Sequence, residues 1–158
     1  FEHHGTLNKY IGDGLMALFG APLGSENDAA NAVSAAIGMQ RRVREVNVQL
    51  TAKNLPTVQL GIGLNTGEAT VGVIGAHQRS EYTAIGNTVN IAARIEGLAQ
   101  PGQILVTAAT ALELKDAFLL DAPQEVNVKN IDEPVKVYSV SYQQEEEEEH
   151  DTGSVTPV

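Results

Sequence analysis

The chain is 158 residues long, carries a formal charge of −10, contains no cysteine or tryptophan, and is 42% apolar. That is one domain's worth of chain with a core built from Val, Ile, Leu and Ala; disulfides and thiolate metal sites are excluded, and no apolar run approaches the roughly 20 residues that span a bilayer. Six negative charges fall in 145–149 and at Asp151, leaving about −4 for the remainder, so the acidity marks a solvated, disordered tail over 143–158 rather than a charged domain.

No Lys/Arg cluster forms a phosphate-tracking stripe, which argues against nucleic acid as a partner. The opening F-E-H-H-G has neither a signal-peptide pattern nor a natural start, so we expect a piece of a longer protein. His3 and His4, adjacent at a chain end, are expected to be exposed rather than metal ligands. Residues 7–19, L-N-K-Y-I-G-D-G-L-M-A-L-F, set two apolar runs around Gly12-Asp13-Gly14, the pattern of a β-hairpin with a tight turn. Asp-Gly is the commonest way to turn a hairpin. The same glycine-flanked carboxylate at Asp13 is also open to close approach by a cation.

After a loop at 20–24, Ser25 or Asn27 is expected to cap a helix over 28–52. Its apolar stripe is Ala29, Val33, Ala36, Ile37, Val43, Val46 and Leu50. Residues 58–64 and 68–74 read as a strand pair joined by Asn65-Thr66-Gly67. Their frequent glycines point to close approach of backbone or ligand. Without G-K-[S/T] the stretch is not a P-loop. A short strand at 82–85 leads through Gly86-Asn87-Thr88 into a helix over 89–98, with Ile91, Ala92 and Ile95 as its buried stripe.

Asn90 and Arg94 share one face of that helix. They are either solvated polar surface or a pair directed at an anionic ligand, to which arginine's fork is suited. A strand at 103–106, a short helix at 108–114 and an extended segment at 118–121 follow. Strands at 126–128 and 135–140 close the chain as a hairpin around 130–134. This order predicts an α+β sandwich with helices on one sheet face.

Three stretches, K-Y-I-G-D-G-L-M-A-L-F-G at 9–20, G-L-N-T-G-E-A-T-V-G-V-I-G at 63–75 and Y-T-A-I-G-N-T-V-N-I-A-A-R-I-E at 82–96, resemble the class III nucleotidyl cyclase catalytic domain. E-P-V-K-V-Y-S-V at 133–140 fits the same family. The resemblance implies a catalytic domain over 1–142 with a ferredoxin-like βαββαβ sandwich. It implies an adenylyl cyclase, a phosphorus–oxygen lyase that converts ATP to cyclic AMP and pyrophosphate in intracellular signalling. By the same resemblance Asp13 is one of two aspartates that hold a pair of Mg²⁺ or Mn²⁺ ions. Lys9 selects adenine, with Thr83 as its partner in the base pocket. Asn90 orients the ribose, Arg94 stabilises the transition state, and Lys129 contacts the terminal phosphates. The Lys9 and Thr83 pairing is similar to the subgroup that includes bicarbonate-responsive cyclases, which makes bicarbonate a candidate effector. Guanylyl cyclases carry Glu and Cys-type residues at these positions, so ATP is the expected substrate.

These residue types suit the implied chemistry. The ribose 3′-hydroxyl attacks the α-phosphorus while pyrophosphate leaves in line; one metal lowers the hydroxyl's pKa and the other neutralises phosphate charge. Arg94 donates to oxygens that gain charge at the transition state. Lys9 donates to a ring nitrogen of adenine and the Thr83 hydroxyl accepts from its exocyclic amine. Guanine presents the opposite pattern at that edge, which leaves polar groups unpaired. The resemblance also implies a head-to-tail homodimer with two shared sites, Lys9, Thr83, Asn90 and Arg94 facing one and Asp13 serving the other. A single copy is expected to be inactive.

The family's first strand, with the other metal aspartate in a Phe-x-Asp-like motif, and the helices after it have no counterpart here. The expectation is a sheet that lacks a central strand, weakened metal binding by Asp13 alone, and a parent protein that supplies the segment. Two further functions stay open: a non-catalytic cyclase-homology module that binds nucleotide or dimerises, and a guanylyl cyclase. The expected location is cytoplasmic, as the catalytic part of a larger multidomain or membrane-attached protein.

Overall fold

A computed structural model of the chain describes residues 2–76, 79–128, 131 and 133–142. Lys129 and the acidic stretch 143–158 lie outside the described residues, as does part of the loop at 130–134. The N-terminal hairpin forms where expected. β1 (Thr6–Ile11) and β2 (Gly14–Leu18) pair antiparallel, with Ile11 opposite Gly14 and Gly12-Asp13 as the turn. The register slips between Leu7 and Lys9, so Asn8 is an extra residue in β1, a bulge of the kind that re-aims side chains.

Helix α1 (Asp28–Ala52) has the expected bounds. Asn27 is the N-cap residue and makes no side-chain capping bond. The Asp28 carboxylate instead accepts from the Ser25 N–H and hydroxyl, each at 2.8 Å, folding the loop onto the helix's first turn. Only the first half of α1 packs deeply, through Ala32, Val33, Ala36, Ile37 and Gln40. His3, expected to be exposed, is half-buried beside this helix, near Gly38.

Side-chain amides on α1 explain why the strand expected over 58–64 is shorter. Asn47 donates to the Val58 carbonyl and accepts from its N–H, both at 2.8 Å. The buried Gln40 donates to the Leu60 carbonyl at 2.9 Å. Val58 and the Leu60 carbonyl thus satisfy backbone groups against the helix, and β3 is confined to Ile62–Leu64.

The expected pairing of 58–64 with 68–74 is not formed. β3 runs parallel to β6 (Ile104–Thr107) in a four-stranded sheet of order β3-β6-β8-β7, with β8 (Val135–Ser139) antiparallel to both β6 and β7 (Gln124–Val126). β4 (Thr70–Ala76) pairs with β5 (Arg79–Ile85) as a separate antiparallel ribbon. Parallel strands need a long crossover, and the β4–β5 ribbon with α2 (Asn87–Glu96) supplies it between β3 and β6. The short helix α3 is Ala108–Leu114, as expected. The segment at 118–121 makes one bridge, Leu120 to Val140.

Helices cover both faces of the four-stranded sheet, not one. Every residue of β6 is buried, as in a strand packed on both sides. Ile104 and Val106 pack with Val33, Ala36 and Ile37 of α1 and Leu114 of α3. Leu105 points the other way, to Ile95 of α2 and Val137. A Cβ at Gly63 would lie 2.2 Å from the Glu96 backbone nitrogen, so only glycine lets α2 approach β3 this closely.

Among the described residues the strands fall into three sheets. A mainly apolar cavity of about 370 Å³ lies between β2, α1, β3, β4 and α2, with Leu18, Ala32, Leu64, Val71 and Ala92 among its walls. No helix among the described residues is long and apolar enough to cross a membrane.

Candidate active site

β5 and α2 form one strand–turn–helix unit. β5 ends at Ile85, Gly86 turns the chain at φ 137°, a conformation that side-chain-bearing residues rarely adopt, and α2 begins at Asn87. This unit carries Thr83 on the strand and Asn90 and Arg94 on the helix. Thr83 is buried, Arg94 half-buried and Asn90 exposed.

The start of α2 is pinned by a residue that sequence reasoning treated as a turn former. Asn65 donates from Nδ2 to the Thr88 carbonyl at 2.9 Å and accepts the Thr107 hydroxyl at 2.7 Å. Thr88 in turn donates its hydroxyl to the Glu68 carbonyl at 2.5 Å. The loop after β3, the first turn of α2 and the end of β6 are thereby tied together. The available signal was an amide, with both donor and acceptor capacity, placed where a strand ends.

β1 brings Lys9 into the same region. Asn8 donates from Nδ2 to the Tyr82 carbonyl at 2.7 Å, and its Oδ1 accepts the Thr83 hydroxyl at 3.0 Å. The residue preceding Lys9 is thus bonded to Thr83 although the two strands belong to different sheets. Asn8 was not anticipated; its signal was a lone polar amide within the first strand, next to the lysine. The side chains of Lys9, Asp13, Asn90 and Arg94 make no hydrogen bond or ion pair among the described residues.

Asp13 is exposed at the hairpin tip. Among the described residues no group of three His, Cys, Asp or Glu could enclose a metal ion. Mg²⁺ is ordinarily held by one or two carboxylates together with substrate phosphates. One open aspartate therefore fits an ion bridged to a nucleotide and does not fit one held by the described residues alone. Of the six residues singled out from the sequence, Thr83 is bonded by Asn8, the residue before Lys9, and Asn90 and Arg94 lie on the adjoining helix. Asp13 stands apart at the turn, and Lys129 is outside the described residues. None of the five described residues lines the apolar cavity.

Residues 2–142 match the family model of the adenylate and guanylate cyclase catalytic domain. Adenylate cyclase 1 of Rhizobium meliloti is 34% identical over 116 residues, which cover 72% of this chain and 17% of that protein. The chain thus spans less than a fifth of that relative's length. The crystal structure of the adenylyl cyclase CyaB from P. aeruginosa has a TM-score of 0.85 at 34% identity, over 90% of this chain and 74% of that one. The guanylyl cyclase Cya2 has a TM-score of 0.84 at 38% identity, over 88% of this chain and 71% of that one. Family model, sequence identity and overall superposition converge, and the chain belongs to the adenylate and guanylate cyclase catalytic domain family.

Proposed function

We propose that this chain is the catalytic domain of an adenylyl cyclase, converting ATP to cyclic AMP and pyrophosphate at sites shared between two copies. The observation that carries this reading is the juxtaposition of β1, which bears Lys9, with Thr83 on β5, made through Asn8. Lys9 donates to a ring nitrogen of adenine and Thr83 accepts from the exocyclic amine. Guanine would leave these groups unpaired, which costs affinity.

Asn90 orients the ribose so that its 3′-hydroxyl faces the α-phosphorus. Arg94, one helical turn on, donates to the phosphate oxygens that gain charge as the new P–O bond forms and the bond to pyrophosphate breaks. Lys129 contacts the terminal phosphates. Asp13 would hold Mg²⁺ or Mn²⁺ together with those phosphates. When bound, the ions lower the pKa of the attacking hydroxyl and offset phosphate charge. In a head-to-tail homodimer Asp13 serves the site whose Lys9, Thr83, Asn90 and Arg94 belong to the other copy. Bicarbonate is proposed as an effector on the strength of Thr83, and the cytoplasm as the location.

The test is Mn²⁺-dependent conversion of ATP to cyclic AMP by the full protein, with GTP run in parallel. Cyclic AMP formation is the expected result. Nucleotide binding without cyclisation would leave a non-catalytic module instead. Faster turnover of GTP would replace the assignment with guanylyl cyclase, the second reading, which the 38% identity to Cya2 favours. A rate that stays flat as bicarbonate varies at fixed pH removes the effector.

A further inference from the structure

A threonine hydroxyl donates one hydrogen bond and accepts two, so by itself it does not tell an amine from a carbonyl. Thr83 is constrained further. A backbone carbonyl only accepts, so the Asn8 atom 2.7 Å from the Tyr82 carbonyl oxygen is the amide nitrogen. The atom 3.0 Å from Thr83 Oγ1 is then the amide oxygen, which also only accepts. The Thr83 hydrogen is therefore committed to Asn8, and only lone pairs remain on the hydroxyl. Thr83 is 5% exposed, so solvent offers its hydrogen little alternative.

Resting on the adenine-reading role given to Thr83 above, we propose that Asn8 is a positioning residue for base choice. By taking the Thr83 hydrogen it turns an ambivalent hydroxyl into a fixed acceptor. That acceptor suits the exocyclic amine of adenine and meets the carbonyl of guanine lone pair to lone pair. The bulge that inserts Asn8 ahead of Lys9 puts the amide in register with Tyr82 and Thr83. Base choice is then set by a pair, Asn8 with Thr83, and not by Thr83 alone.

The test compares kcat/KM for ATP and GTP on one preparation of the full protein, a ratio that does not depend on the folded fraction. Displacement of a fluorescent ATP analogue by ATP and by GTP gives the same comparison for binding. Asn8→Ala frees the Thr83 hydrogen to turn towards a carbonyl, and the ATP:GTP ratio should fall roughly five- to tenfold in both measurements. Thr83→Val should lower it as well, and Asn8→Ala in the Thr83→Val background should add nothing. Asn8→Asp keeps an acceptor facing Thr83 and should preserve the ratio even where stability drops. An unchanged ratio in Asn8→Ala with a lowered one in Thr83→Val overturns the role of Asn8 and leaves that of Thr83. An unchanged ratio in Thr83→Val overturns the adenine reading of Thr83 and the role of Asn8 with it.

Discussion

Asn65 donates its side-chain amide to the Thr88 carbonyl at 2.9 Å, coupling the loop after β3 to the first turn of the helix that carries Asn90 and Arg94. Its oxygen accepts from Thr107 at 2.7 Å. Asn65→Ala leaves a carbonyl and a hydroxyl without these partners, at a cost of about 1–3 kcal/mol. Urea unfolding of the full protein should show a lower midpoint with an unchanged slope. Cyclase activity should fall with it, because the helix start that aims Asn90 and Arg94 is loosened.

Two glycines make a matched pair. A Cβ at Gly63 would sit 2.2 Å from the Glu96 nitrogen and 2.7 Å from its Cα, both backbone atoms, whereas one at Gly72 meets nothing within 4 Å. Gly63→Ala should destabilise by about 1–3 kcal/mol or more, since β3 and α2 must separate. Gly72→Ala should be close to neutral. Equal unfolding midpoints for the two variants would show that the α2–β3 contact is looser than described.

Ile95 is fully buried between α2 and the sheet, with Leu105 and Val137. Ile95→Ala removes that contact and opens a cavity, which should cost about 2–5 kcal/mol. Denaturant titration checks the size of the loss. Ile95→Val, deleting one methyl group, should cost about 0.5–1.5 kcal/mol.

Arg94 makes no ion pair or hydrogen bond among the described residues, so the fold does not lean on its charge. Arg94→Ala should lower kcat by about 10²–10³ while leaving thermal unfolding almost unmoved. Arg94→Lys should recover little, because a point charge does not reproduce the guanidinium fork. A melting temperature that drops in step with activity would instead mark Arg94 as structural.

Local pattern carried the helices and the first hairpin. The bounds of α1 and α3 follow from apolar periodicity and from the turn residues beside them. Pairing partners were less legible. Asn65-Thr66-Gly67 looks like a hairpin turn, but the partner of Ile62 is Ile104, a choice made by the core rather than by the loop. The helices on both faces were signalled only by the continuous apolar run Ile104, Leu105 and Val106. Lys9, Asp13, Thr83, Asn90 and Arg94 could be named as candidates from their motifs. Asn8 and Asn65 could not, because their roles lie in bonds to Thr83 and Thr107, 75 and 42 residues away in sequence.

The proposed sharing of the site between two copies is tested most directly by mixing two variants of the full protein expected to be inactive, Asp13→Ala and Arg94→Ala. A mixed pair contains one site with both groups intact, so an equal mixture should regain roughly a quarter of wild-type activity after subunit exchange. Mixed dimers that form and yet remain as inactive as either variant alone would contradict the account.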